Sequence, residues 1–199
     1  MVVSARDKAT DQLEHLLDTA AKGADYEQAF ELFKTQQQQP LQKTILEEYF
    51  DQLGQILSGV ALVKDYSLKT KDQVLAFGEL MSVKTLVSLL AEQGVPAQFL
   101  DSRKLLRTNE QFGNAQVQEL LSSTQIKKAF EAVPLGVVPV FTGFIGGTAA
   151  GETTTLGRNG SNYSAALLAS FLEAGELQNF THVDGIYTAD PEKDSTATK

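Results

Sequence analysis

The sequence predicts an α/β sandwich around a mostly parallel sheet. Three observations carry this. Strand-like and helix-like stretches alternate along the chain, the pattern of strand–helix–strand units. Val137-Val-Pro-Val-Phe-Thr142 is a nearly continuous β run, as expected of a strand covered on both faces. Residues 71–93 read as one long helix whose apolar side chains, among them Val74, Phe77, Leu80, Met81 and Val83, take up much of its circumference, so it should be central and buried.

The elements follow in order. Met1-Val-Val-Ser-Ala5 reads as a buried strand running into a polar loop. An amphipathic helix comes next, with Leu13, Leu16, Leu17 and Ala20 at helical spacing and Asp11 and Glu14 at the spacing of a capping box. A second helix covers residues 25–37 and stops before Pro40. The third carries Leu46, Tyr49, Phe50, Leu53, Ile56 and Leu57 as one stripe and should end near Gly59. Thr70 and Gln73 suggest a capping box that opens the long helix, and Gly94 should close it. A strand at 97–100, a helix at 122–133 and the β run at 137–142 follow. Residues 143–160 form a glycine-rich loop with a hairpin at 152–156, then a helix at 161–174, a strand at 177–183 and a turn-rich end.

Composition narrows the function classes. The net charge of −8 argues against nucleic acid as a partner, because phosphate backbones need clustered cations. With no cysteine there is no disulfide frame, thiolate zinc site or thiol nucleophile. His15 and His182 are isolated in sequence, so no protein metal site is expected. No uninterrupted apolar run approaches membrane-span length and no signal peptide is read, so the expected setting is cytoplasmic and off the membrane.

Three segments can carry chemistry. Gly151-Glu-Thr-Thr-Thr-Leu-Gly-Arg-Asn-Gly-Ser-Asn162 passes from a strand-like stretch through a glycine turn directly into a helix. Free N–H groups and the dipole at that helix start favour an anion, and the Arg158 guanidinium suits a carboxylate or phosphate. Ser161 is a possible N-cap or ligand contact. The alternative is an ordinary turn with a surface arginine. The loop is neither a Walker A sequence nor a dinucleotide fingerprint. The second segment is Phe77-Gly78-Glu79, a carboxylate on an apolar helix that needs a partner. That partner is a ligand ammonium, a salt bridge within the fold, or water at a solvent-facing turn. The third, Thr181-His-Val-Asp-Gly-Ile-Tyr-Thr-Ala-Asp-Pro191, puts polar residues just after a strand, where α/β sheets collect ligands. Tyr187 could flank a flat ring or simply pack in a loop.

Together with Val2-Val-Ser-Ala5 and Thr142-Gly-Phe-Ile-Gly146, these segments resemble the aspartate kinase branch of the amino-acid kinase family, in an order that spans nearly the whole chain. The Arg-Asn-Gly-Ser loop with the later Thr-His-Val-Asp-Gly is most similar to bifunctional aspartate kinase–homoserine dehydrogenases. The resemblance implies an incomplete three-layer sandwich of the carbamate kinase type and phosphoryl transfer from ATP, carried with Mg2+, to the side-chain carboxylate of L-aspartate. It implies that Arg158 binds a substrate carboxylate and Glu79 its ammonium, with Phe144, Asn159, Ser161 and Asn162 lining the same pocket. Thr181, His182, Gly185, Tyr187 and Asp190 fall on the adenosine side. A homo-oligomer is also implied.

The resemblance covers residues 1–199 as part of a catalytic domain. The family's amino-terminal Lys-Phe-Gly-Gly phosphate loop and a later lysine have no counterpart here, so no catalytic residue is assigned and the isolated chain is expected to turn over little. Asn162 and His182 stand where many members have Asp, and Glu192 where many have Arg. Two alternatives stay open. One is an amino-acid kinase for another carboxylate, such as glutamate or acetylglutamate. The other is a non-catalytic binding or assembly module that self-associates through an exposed sheet edge.

Overall fold

The computed structural model describes residues 1–181 together with Gly185, Thr188, Thr196 and Thr198. Three parallel strands form its central sheet in the order β1 (Val2–Val3), β3 (Val138–Thr142), β2 (Ala97–Leu100). The middle strand is the one read from sequence as covered on both faces, and Val140 and Phe141 are both buried.

Helices cover the two faces as a three-layer sandwich requires. Helices α1 (Ala9–Ala21), α2 (Glu27–Gln38), α3 (Glu47–Val63) and α4 (Leu68–Glu92) build one apolar cluster, with Phe99 of β2 packed against it. Helices α5 (Glu119–Glu131) and α6 (Gly160–Phe171) build the other, with Leu100 of β2 and Phe141 of β3. Neighbouring residues of β2 thus point into opposite clusters, as the pleat dictates. A second, antiparallel hairpin joins β4 (Ile145–Gly147) to β5 (Thr153–Thr155). Residues 152–156 therefore hold one arm of a longer hairpin, and not a whole hairpin as expected, because β5 pairs with β4.

Helix α4 is long and apolar enough to cross a membrane by length and composition. It is instead the central helix of the core, packed against α1, α3, β2, β3 and β5. Its apolar circumference has protein on nearly every side, and 61% of its apolar stretch is buried.

Local signals misplace several ends. The long helix starts at Leu68, because Ser67 is the cap: its hydroxyl accepts the Thr70 N–H at 3.1 Å, which makes Thr70 an interior residue. The expected Asp11–Glu14 capping box does not form; α1 enters from Asp7 and Lys8 at positive φ, and Asp11 lies in its first turn, favourable to the dipole. Helix α3 runs through Gly59 to Val63, since Leu57 and Val60 on its buried face outweigh a glycine penalty of about 1 kcal/mol. Helix α6 ends at Phe171, earlier than expected. Of the strand expected at 177–183, residues 177–181 are exposed and not in a strand, Phe180 at 91%, and His182 and Val183 lie outside the described residues.

Candidate active site

The carboxyl ends of β1 and β3 meet the middle of α4 and the start of α6, and a cavity of about 350 Å³ opens there. It is lined by Glu79, Phe144, Arg158, Asn159, Ser161 and Asn162, which are the residues expected to form one pocket. Ser4, Ala5 and Thr10 complete the wall. Thr10 lies in no segment singled out from sequence, and Ser4 lies in Val2-Val-Ser-Ala5, which was not assigned to the pocket.

Glu79 faces the cavity from α4 and is 2% exposed. Its Oε1 accepts the Ala5 N–H at 3.1 Å, while Oε2 has no hydrogen-bond partner. This geometry depends on Gly78. A Cβ there would sit 2.8 Å from the Ala5 Cβ, so only glycine lets the chain after β1 approach α4 closely enough. Of the partners weighed for Glu79, neither an internal salt bridge nor a solvent-facing turn is found among the described residues. Burial instead pushes its carboxyl up to about 7, against the opposing pull of the Ala5 N–H. A buried carboxylate with one unpartnered oxygen suits a cationic partner.

The opposite wall is the loop between β5 and α6 together with Phe144 of the turn between β3 and β4. Phe144 has φ +63°, a strained conformation for an aromatic residue; its N–H donates to Ser164 Oγ at 3.1 Å and its carbonyl accepts the Leu156 N–H at 2.8 Å. Asn159, at φ +57°, is the N-cap of α6 and makes no side-chain cap bond, so Ser161 lies inside the helix rather than capping it. The Gly160 N–H donates to the Gly157 carbonyl at 3.1 Å, and Ser161 and Asn162, also in the first turn, line the cavity at the positive end of the helix dipole. Arg158 is exposed beside them and forms no ion pair among the described residues.

Asp72, two turns before Glu79 on α4, was not singled out from sequence. It is 1% exposed and accepts the Gly113 N–H at 2.8 Å, the Thr155 N–H at 2.9 Å and the Thr155 hydroxyl at 2.8 Å. It ties β5, and so the Arg158 loop that follows, to the helix that carries Glu79. Burial pushes its carboxyl up, while these three donors and Lys71 pull it back.

A second cavity of about 760 Å³ adjoins the first, sharing Ser4, Ser161 and Asn162. Thr181 lines it, as does one face of α6. Gly185 is described but does not line it, and His182, Tyr187 and Asp190 lie outside the described residues.

The model of the Amino acid kinase family matches residues 1–199, the whole chain. The chain belongs to this family. Among solved structures of the amino acid kinases, it superposes on Escherichia coli aspartokinase III in complex with aspartate and ADP with a TM-score of 0.83 and 33% identity, covering 100% of this chain and 45% of that one. Lysine-sensitive aspartokinase 3 of Escherichia coli is 43% identical over 129 residues, 63% of this chain and 28% of that protein. The chloroplastic bifunctional aspartokinase/homoserine dehydrogenase 1 of Zea mays is 30% identical across 99% of this chain, which spans 23% of it. The chain therefore spans less than half the length of each of these relatives.

Proposed function

We propose that the smaller cavity binds L-aspartate, and that residues 1–199 are part of the catalytic domain of an aspartate kinase that forms 4-phospho-L-aspartate, the first step toward the aspartate-derived amino acids. The observation that carries this is the pairing, in one cavity, of a buried carboxyl group with one unpartnered oxygen and a guanidinium without an ion pair among the described residues, at a helix start. Aspartate presents one ammonium and two carboxylates, a complementary set. Glu79 takes the ammonium and Arg158 a carboxylate. Acetylglutamate, with its amine acylated, would leave Glu79 without a cation. The crystallised relative, with aspartate and ADP bound, supports the same reading.

The larger cavity would take ATP, its phosphates reaching the shared boundary at Ser161 and Asn162. Thr181, His182, Gly185, Tyr187 and Asp190 remain the proposed adenosine side. The boundary groups are neutral donors that suit phosphate oxygens, so Mg2+ would arrive on the nucleotide and neutralise its charge. A side-chain carboxylate oxygen of aspartate attacks the γ-phosphorus, the bond to the β–γ bridging oxygen breaks, and ADP leaves. The nucleophile is already ionised at neutral pH, so no general base is needed and alignment with charge neutralisation does the work. We further propose a cytoplasmic homo-oligomer for the parent enzyme.

The Glu79 carboxyl makes the binding step testable. It holds its proton up to about pH 7 in the empty cavity, whereas an ammonium requires the carboxylate. Aspartate affinity is therefore expected to fall as pH drops below about 7, approaching tenfold per pH unit. Below that pH, binding should release up to one proton, visible by calorimetry in buffers of different ionisation enthalpy. A flat affinity profile from pH 5.5 to 8 with no proton release would count against this assignment.

A further inference from the structure

A third cavity, of about 580 Å³, lies beyond the β2 edge of the sheet, between the turn after β2 and the tip of the β4–β5 hairpin. Arg103, Lys104 and Arg107 line it, against the single carboxylate of Asp101. In a chain of net charge −8 this is a local reversal of sign.

The cations are held ready. Arg103 and Lys104 belong to a 3-10 turn at Ser102–Lys104. Asp101 is taken up by Arg103, whose Nη2 lies 2.7 Å from Oδ2 and whose Nε donates at 3.0 Å to Oδ1. One Arg107 guanidinium nitrogen donates to the Thr148 carbonyl. Lys104 is exposed and forms no ion pair among the described residues. Glu152, next along the hairpin, is occupied by Lys69. On the facing wall, the N–H groups of Ala149 and Ala150 have no acceptor among the described residues. Gly147 fixes the two walls together: a Cβ there would fall 2.1 Å from the Arg103 carbonyl oxygen, and its own carbonyl accepts the Thr108 N–H at 2.9 Å.

We propose that this cavity is a second anion site, distinct from the aspartate pocket, that binds a compact, multiply charged phosphate-bearing small molecule. Lys104 and Arg107 supply the free charge, and the Ala149 and Ala150 amides supply directed donors. The site sits at the opposite end of β5 from Arg158, so its occupancy can be separated from that of the pocket.

Inorganic pyrophosphate is the probe. Titrated into the full chain at low ionic strength, it should bind and shift the amide resonances of Ala149 and Ala150. Lys104→Glu should weaken binding by about tenfold or more, the scale of losing a charge-assisted contact, and Arg107→Gln should act in the same direction. Lys104→Glu should leave L-aspartate affinity unchanged, and Arg158→Ala should leave the Ala149 and Ala150 shifts unchanged. No binding at millimolar pyrophosphate would overturn the proposal. So would affinity that survives Lys104→Glu in a folded chain, or shifts that disappear in Arg158→Ala.

Discussion

Replacing Glu79 with glutamine is expected to stabilise the folded chain at pH 8 while removing its affinity for aspartate. Glu79 is buried, with one oxygen on the Ala5 N–H and the other without a partner. Its carboxyl is raised from 4.5 to about 7, so the folded state holds this proton more tightly than the unfolded state does. For a raised acid, folding stability falls as pH climbs through the window between those two values and stays lowered above it. The glutamine variant is free of that loss, so its advantage at pH 8 should be on the order of 3 kcal/mol, shrinking to about 1 kcal/mol at pH 5. Denaturant titrations at the two pH values measure it. Aspartate binding should weaken by at least about 30-fold, because removing one partner of a buried charge pair costs about 2 kcal/mol or more. A variant that is both more stable and unable to bind identifies a carboxylate kept for its ligand rather than for the fold.

Asp72 should behave in the opposite way. Asp72→Ala leaves the Gly113 N–H, the Thr155 N–H and the Thr155 hydroxyl without their acceptor in a dry site. The expected loss is roughly 3 to 5 kcal/mol, from several donors orphaned at once. Asp72→Asn keeps the shape and most of the bonding. Its Oδ1, placed where the acid has Oδ2, can accept both N–H groups, and its amide can donate to the Thr155 hydroxyl oxygen. That variant should lose about 1 kcal/mol or less. Urea denaturation of the pair separates the two outcomes. Equal losses in Ala and Asn would mean that the negative charge, not the hydrogen-bond pattern, ties β5 to α4.

What could be read from the sequence follows the range of the signal. The stripe of α3 and the apolar girth of α4 were legible because they repeat every three or four residues, and β2 was placed at its observed bounds. Ends were harder. Ser67 and Thr70 are both capping types, Thr70 alone has a glutamine three positions on, and only the folded backbone shows that Ser67 accepts the Thr70 N–H. Gly59 looked like a stop because its neighbours' burial is a tertiary fact. At the site, local chemistry pointed to the Arg158 loop and to a carboxylate in need of a partner, and the family resemblance joined them. Thr10 and Asp72 could not be found that way, and Ser4 was reached only as part of the Val2–Ala5 segment. Their roles rest on contacts across long stretches of chain, such as Ala5 to Glu79 and Asp72 to Thr155, which leave no local pattern.

The central claim is that Glu79 reads the ammonium of aspartate and Arg158 a carboxylate. A calorimetric cycle tests it most directly, comparing L-aspartate with succinate, which has both carboxylates but no ammonium, on the wild-type chain and on the Glu79→Gln and Arg158→Ala variants at pH 8. The account predicts that Glu79→Gln weakens L-aspartate by at least about 30-fold and leaves succinate nearly unchanged, while Arg158→Ala weakens both. Equal losses for the two ligands in Glu79→Gln, or no binding of L-aspartate to the wild-type chain, would contradict it.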